Sequence, residues 1–325
     1  MPHKLSRSAS HADELMIEKI HYHGWNNAWR LSNETIELIV LADVGPRIVH
    51  YGFRGHQNML YEAANDRGHS GGEQYRLYGG HRLWAWPEVA RTYFPDNRAV
   101  SVSQEEDCVR LRAPIEDSAP GTQLEKELSV ALDGYGTQVR IDHTITNRGA
   151  EATQLAVWGL TMMRPGGRAI LPLPPRVAMD AEHFQAAAPM TLWSYTDFKD
   201  PRWIFGTEFI QLLQESNPQG RFPEQITGTF NPAGWGAYYS RGELFIKRAA
   251  PVADARYPDF GCNFEIFTNP QFLELETLGP IVELAPEESA RHTETWALFR
   301  DVEAGNDDGW ICSTVSPLAA SLSLA

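Results

Sequence analysis

Residues 124–145 read LEKELSVALDGYGTQVRIDHTI, and their pattern decides the fold. Apolar and polar side chains alternate through residues 124–132 and again through residues 138–145, as in strands that bury one face. The four residues between them, DGYG at 133–136, predict a hairpin turn. The two segments are therefore predicted to pair as antiparallel strands.

Short segments with the same alternation, bounded by turn residues, continue through most of the chain. They include residues 34–41, 108–112, 153–163, 272–278 and 291–299. Strands at this density, with turns every ~8–12 residues, predict an all-β fold, a large antiparallel sandwich or barrel. Convincing helical patterns are scarce, and residues 180–190 and 206–215 are the two windows in which the pattern does not decide whether a helix forms.

The chain has no Pro- or Ser-rich linker and no internal repeat, which predicts a single domain over residues 17–300. Residues 1–16 are predicted to form a flexible N-terminal segment. Residues 301–325 carry little periodic signal, so they are predicted to form a loosely attached C-terminal tail.

Composition and charge argue against several classes of function. The 325 residues carry a net charge of −14, which disfavours nucleic acid and anionic membranes as partners. The N-terminus lacks the apolar run of a secretory signal, and no segment approaches the ~18 apolar residues of a membrane helix. The three cysteines, Cys108, Cys262 and Cys312, lie far apart in the sequence and do not have the spacing of a metal site or a redox motif. We therefore predict a cytoplasmic protein with no metal and no cofactor.

The stretch YGGHRLWAWPE, residues 78–88, is the densest concentration of chemically versatile side chains. It shows no helical or strand period and is predicted to be a loop. Tryptophan faces offer apolar platforms, and Arg and Glu supply directed donors and acceptors, which together suit a polyhydroxylated ring. The alternative is a loop whose aromatic side chains close one end of a sandwich or barrel.

Glu274 and Glu276 flank Leu275 in a predicted strand, so both carboxyl groups lie on one face. Two like charges on one face raise at least one pKa, which suits a general acid or base. The alternative is an ordinary solvent-exposed face. We favour Glu276 as the base because it lies nearer the end of its strand.

Residues 81–88 supply further candidates, each with a structural alternative. Histidine side chains titrate near neutral pH, so His81 is a candidate acid. The alternative is a loop histidine whose hydrogen bonds are all made within the protein. Arg82 is a candidate clamp for a carboxylate, phosphate or sulfate, or a partner of Glu88. Of Trp84 and Trp86, one is predicted to stack on the ligand and the other to fill the core.

Three more side chains are candidates elsewhere. Arg47, just after a Gly-Pro turn, is predicted either to enter a groove or to form a surface ion pair. Glu265 shares a strand face with Asn263 and Phe267, so it is a candidate second groove carboxylate. Trp158 is predicted either to line the groove or to pack between sheets.

Four stretches resemble the galactose mutarotase-like superfamily, which includes the aldose 1-epimerases: residues 38–48, 79–87, 139–160 and 272–296. The similarity is to a poorly characterised branch of that superfamily. It implies a β-supersandwich with a sugar groove, in which a carboxylate from the C-terminal strands acts at the sugar. In aldose epimerases a histidine that protonates the ring oxygen follows the central Asn turn. Here that segment reads VWGL at 157–160, so Trp158 takes the place of the acid.

The resemblance implies a small carbohydrate ligand, an aldose or a sugar acid, and acid–base catalysis with Glu276 as base and His81 as substitute acid. The predicted ligand-binding residues are Arg47, Arg82, Trp84, Glu88, Trp158, Glu265 and Glu274. Two alternatives stay open: a carbohydrate-binding protein without catalysis, and glycoside cleavage by hydrolysis or elimination that uses the paired glutamates.

Overall fold

A computed structural model describes residues 15–119 and 122–322. Two eleven-stranded antiparallel sheets face each other and bury the main apolar core between them. The predicted all-β sandwich is confirmed. Residues 1–14 of the predicted N-terminal segment lie outside the described residues, and Met16 begins the first strand. No helix in the described part of the chain is both long and apolar enough to cross a membrane.

In chain order the strands are β1 (Met16–Tyr22), β2 (Trp25–Ser32), β3 (Ile36–Leu41), β4 (Arg47–Phe53), β5 (His81–Trp86), β6 (Ser101–Gln104), β7 (Cys108–Arg112), β8 (Glu116–Ala119), β9 (Thr122–Leu132), β10 (Val139–Asn147), β11 (Thr153–Met163), β12 (Arg168–Pro172), β13 (Met190–Leu192), β14 (Trp203–Phe205), β15 (Phe209–Leu213), β16 (Gln225–Thr229), β17 (Trp235–Ser240), β18 (Glu243–Arg248), β19 (Phe264–Thr268), β20 (Leu273–Leu278), β21 (Val282–Leu284) and β22 (Ser289–Phe299).

The first sheet has the order β1-β2-β3-β4-β5-β11-β20-β19-β16-β13, with β21 paired to β11. The second has the order β14-β15-β12-β17-β18-β22-β10-β9-β7-β6, with β8 paired to β9. The hairpin predicted from residues 124–145 is present as β9 and β10, with Val130 opposite Ile141. The middle strands of the first sheet, β5, β11, β20 and β19, come from distant parts of the sequence.

Residues 81–86 form strand β5 in the middle of the first sheet, so the prediction of a loop there is wrong. Leu83 and Ala85 pack toward the second sheet, in a cluster with Ile145 of β10. Trp84 faces the opposite way and packs against Trp158. Because both faces of β5 are buried, the strand lacks the apolar–polar alternation that marks a half-exposed strand.

Residues 302–322 pack against the second sheet, in contrast to the predicted loose tail. Helical segments run through Asp308–Trp310, Ile311–Val315 (a π-helical turn) and Ser316–Ser321. Ile311, Val315 and Ala319 are fully buried against residues of β12, β15 and β18. Their spacing of four residues places them on one helix face. Of the two ambiguous windows, residues 206–215 contain β15 and residues 180–189 contain no helix.

Candidate functional site

A groove of about 520 Å³ lies on the outer face of the first sheet, above β5, β11, β20 and β19. Strand pairing places one row of side chains directly across it. Arg82 is opposite Leu160, Leu160 is opposite Glu276, and Glu276 is opposite Glu265. An adjoining compartment of about 230 Å³ shares Glu88 and Trp158 with the groove. We call the two spaces together the groove.

Aromatic rings form the walls of this groove. The rings of Trp84 and Trp158 meet edge to face with centroids 5.3 Å apart, and Tyr93 packs edge to face on Trp84 at 5.2 Å. Trp86 lines the smaller compartment and donates its Nε1–H to Oδ1 of Asp259 at 3.2 Å. Trp84, Trp86 and Trp158 therefore all line the groove, and neither Trp84 nor Trp86 fills the core between the two sheets.

The structure places both paired glutamates on the groove face and not in bulk solvent. Glu274 is 7% exposed and Glu276 is 2% exposed, while Leu273 and Leu275 face the core on the other side. The Nε1–H of Trp158 donates to Oε2 of Glu276 at 2.7 Å. Burial, and then the neighbouring Glu274, raise the pKa of Glu276 well above its ordinary value.

Glu265 provides a second buried carboxyl directly opposite Glu276 on the neighbouring strand. It is 1% exposed, and its carboxyl group has the side chain of Asp259 as a hydrogen-bond partner. Burial, followed by Glu276 and Asp259, raises the pKa of Glu265 well above the usual range for a glutamate. The pKa of Asp259 is also raised, chiefly by burial. These carboxyl groups are therefore coupled and hold protons at higher pH than isolated carboxyls would.

Arg82 is paired with Glu274 and not with Glu88, which corrects the predicted structural alternative. Its Nη2 donates to Oε1 of Glu274 at 3.2 Å, and Nη1 donates to the hydroxyl of Tyr75. The guanidinium carbon lies 4.0 Å from the centroid of the Trp84 ring. Glu88 is exposed at the mouth of the groove, where it accepts a hydrogen bond from the Tyr93 hydroxyl.

His81 does not reach the groove, so the prediction that it acts as the acid is wrong. Residues 82, 84 and 86 of β5 face the groove, and His81 therefore faces the interior. Its Nδ1 lies 3.0 Å from Oγ1 of Thr161, and its Nε2 lies 2.7 Å from Nε2 of His143. Burial holds the pKa of His81 well below its ordinary value, so the ring is neutral at pH 7.

The interior around His81 is a buried polar cluster between the two sheets. Lys247 of β18 pairs with Glu294 of β22 at 3.0 Å, and both side chains are fully buried. Burial alone would raise the pKa of Glu294, but Lys247 and the nearby histidines hold it well below its usual range. His81, His143 and Glu294 offer ligand atoms within 4.8 Å of one another and could hold a metal ion. The Lys247 ammonium already compensates the Glu294 carboxylate, so the cluster is electrostatically complete as a polar core.

Arg47 lines neither the groove nor the protein surface, so both predicted alternatives are wrong. Its side chain is fully buried. Nη1 donates to the carbonyl oxygens of Leu77 and Gly79 at 3.1 and 2.7 Å, and Nη2 pairs with Asp96. Arg47 thus holds the chain that leads into β5.

Several groove residues were not among the predicted site residues. Tyr75, Tyr93, Tyr195, Glu224 and Asp259 line the groove from connecting segments outside the four central strands. No spacing or local pattern distinguishes them, because only the tertiary fold brings these segments over the sheet.

Comparisons with known proteins identify the fold. Neither a protein-family model nor a curated protein sequence matches the chain. Among solved structures, a proposed aldose 1-epimerase from Escherichia coli aligns with a TM-score of 0.53 at 14% identity, covering 88% of this chain and 100% of that one. A galactose mutarotase-like protein from Lactobacillus casei gives 0.55 at 10% identity, covering 83% and 99%. A proposed aldose 1-epimerase from Klebsiella pneumoniae gives 0.57 at 10% identity, covering 94% and 87%. The chain therefore has the galactose mutarotase-like fold, as its resemblance predicted.

Proposed function

We propose that this protein binds an aldose in the groove and catalyses mutarotase-like proton transfer at the anomeric carbon. The observation that carries the proposal is the opposition of Glu276 and Glu265 inside a groove walled by tryptophans. A sugar ring has apolar C–H faces that suit such walls and a polar rim that suits buried carboxyls. A sugar acid, the other predicted substrate, is disfavoured because the described lining of the groove has one cationic side chain, Arg82, against six carboxyl groups.

The two carboxyls divide the chemistry in the following way. Ionised Glu276 removes the proton from the anomeric hydroxyl while protonated Glu265 donates a proton to the ring oxygen. The C–O bond of the ring then breaks, the aldehyde rotates, and ring closure on the other face returns both protons. The hydroxyl and the ring oxygen are bonded to the same carbon, so two neighbouring carboxyls suffice to reach both. Coupled carboxyls that share a proton supply one acid and one base at the same pH.

Trp158 cannot act as an acid, but it donates a hydrogen bond to the proposed base. Its N–H stabilises the ionised form of Glu276 through the 2.7 Å hydrogen bond. The proposal therefore assigns the role of the acid to Glu265 in place of His81.

Polarimetry of freshly dissolved aldoses tests the proposal, because catalysed mutarotation speeds the approach to equilibrium rotation. We expect catalysis by the wild type and a loss of about 100-fold or more in Glu276→Gln and in Glu265→Gln, the usual scale of a general acid or base. Glu283→Gln, an exposed carboxyl on β21 outside the groove, is the matched control and should keep full activity.

The same assays separate the alternatives. Binding without faster mutarotation would mean a carbohydrate-binding protein without catalysis. New reducing ends or unsaturated products from glycosides would mean glycoside cleavage. Either result contradicts the proposed reaction.

A further inference from the structure

We propose that a cavity of the second sheet binds a small oxyanion, either inorganic phosphate or a phosphate monoester. The cavity has a volume of about 130 Å³ and shares no lining residue with the groove. None of the proposed catalytic groups lines it, so this site is independent of the proposed function.

The end of strand β18 leaves the space for this cavity. Arg248, the last residue of β18, is opposite Thr295 of β22, and β22 continues past that point without a partner in β18. The cavity lies beside this continuation, where Arg291 and Thr293 line it. One water molecule takes about 30 Å³ in the liquid, so the space admits an ion of the size of phosphate.

The charge of this lining is opposite to that of the groove. Arg248 and Arg291 line the cavity, whereas no carboxyl group of the described chain does. Neither arginine forms an ion pair within the described residues. Asp142 accepts a hydrogen bond from the hydroxyl of Thr293 at 2.6 Å, but its charge is compensated by Arg140 at 3.0 Å. In a chain of net charge −14, two cations without carboxylate partners create a local positive field that favours an anion.

Arg248 has a free edge for hydrogen bonds to such an anion. Its Nη1 donates to the carbonyl oxygens of Ala319 and Leu322 at 3.3 and 2.8 Å, which holds the guanidinium in place. Its Nε–H is buried and lacks an acceptor among the described residues, although a buried donor ordinarily has one. Nε and Nη2 form one edge of the planar guanidinium, and two oxygens of a phosphate group match that edge. Burial lowers the pKa of Arg248, and an anion beside it would oppose that effect.

The remaining walls narrow the class of anion. Thr295 adds a hydroxyl and Arg291 adds a second positive charge, so the lining suits a dianion better than a single carboxylate. Val252, Tyr257 and Pro280 also line the cavity. Their apolar surfaces would cover the organic part of a phosphate monoester.

Calorimetric titration of the full chain with inorganic phosphate tests the site. The measurements are made at pH 8, where phosphate is largely doubly charged, and sodium chloride holds the ionic strength constant. We expect saturable binding at one site, which also raises the melting temperature in a thermal-shift assay. Arg291→Gln should reduce the affinity about tenfold or more, because it removes a charge-assisted contact from an exposed side chain. Thr295→Val, which keeps the shape of the side chain and removes its hydroxyl, should also weaken binding.

Arg112→Gln is the matched control. It makes the same change of charge on β7, where the side chain is 52% exposed, pairs with Glu127 and does not line the cavity. It should leave phosphate binding unchanged. Arg248→Gln should abolish binding, but it also releases the carbonyl groups of residues 319 and 322, so Arg291→Gln is the decisive variant.

Phenyl phosphate distinguishes the two sources of the oxyanion. If it binds more tightly than inorganic phosphate, the apolar walls contribute and the ligand is a monoester. If it binds more weakly, the ligand is the free ion. The proposal is overturned if neither compound binds saturably, or if Arg291→Gln and Arg112→Gln bind phosphate equally well.

Discussion

Replacing Lys247 with methionine should destabilise the protein more than any ordinary change of a surface charge. The Lys247 ammonium lies 3.0 Å from the carbonyl oxygen of Gly159, 2.9 Å from Oγ1 of Thr161 and 3.1 Å from the carbonyl oxygen of Leu275. It also pairs with Glu294 at 3.0 Å, and both side chains are fully buried. Lys247 thus joins the second sheet to the two strands that carry Trp158 and the paired glutamates.

The expected magnitude follows from what the substitution leaves behind. Methionine fills most of the lysine volume, so the main loss is electrostatic. Removing one partner of a buried ion pair costs about 3–5 kcal/mol, because the remaining charge stays buried without compensation. Among the described residues, the hydrogen-bond donors left to Glu294 would be the Nε1–H of Trp296, at 2.7 Å, and the hydroxyl of Thr277. Against a total stability of about 5–15 kcal/mol, such a loss is large.

Urea unfolding at pH 7, monitored by tryptophan fluorescence, measures the loss of unfolding free energy. Arg30→Met is the matched control, because Arg30 pairs with Glu18 at 2.6 Å while one third of its side chain is exposed. That change should cost less than about 1 kcal/mol. Lys247→Met combined with Glu294→Gln should recover more than half of the lost stability, since the uncompensated charge is gone. If Lys247→Met costs no more than Arg30→Met, the reasoning about this cluster is refuted.

Two further predictions concern acid stability and the C-terminal segment. Burial lowers the pKa of His292 to about 3, whereas an unfolded histidine titrates near ~6.5. The unfolded chain therefore binds an extra proton as pH falls from about 6.5 toward 3, so His292 lowers stability by about 1.4 kcal/mol per pH unit in that range. Unfolding free energies at pH 7, 6, 5 and 4 should fall less steeply in His292→Gln, and a constant difference from the wild type would contradict this. Ile311→Ala should cost about 2–5 kcal/mol in urea unfolding because Ile311 is fully buried. The control is Cys312→Ala, a change at the exposed neighbouring residue. Equal, small losses of stability in both variants would mean that the segment is loosely attached.

Strand β5 illustrates how far sequence patterns reach in this protein. The alternation in residues 124–145 predicted β9 and β10 because one face of each meets the core and the other meets water. The same logic failed for residues 81–86, where the interior and the groove bury both faces. His81 was assigned to the groove for the same reason, since without a visible alternation nothing in the sequence tells which side it faces.

The sequence by itself determined the all-β class and the common face of Glu274 and Glu276. Both follow from the two-residue period of an extended backbone, which is a local property of the chain. Only the tertiary structure decided that Glu265 lies opposite Glu276 and that both share one groove with Trp158. The pairing of Arg82 with Glu274 was likewise decided by the tertiary structure. These contacts join residues of β5, β11, β19 and β20, and pairing between strands so distant in sequence depends on how both sheets bury their apolar faces together.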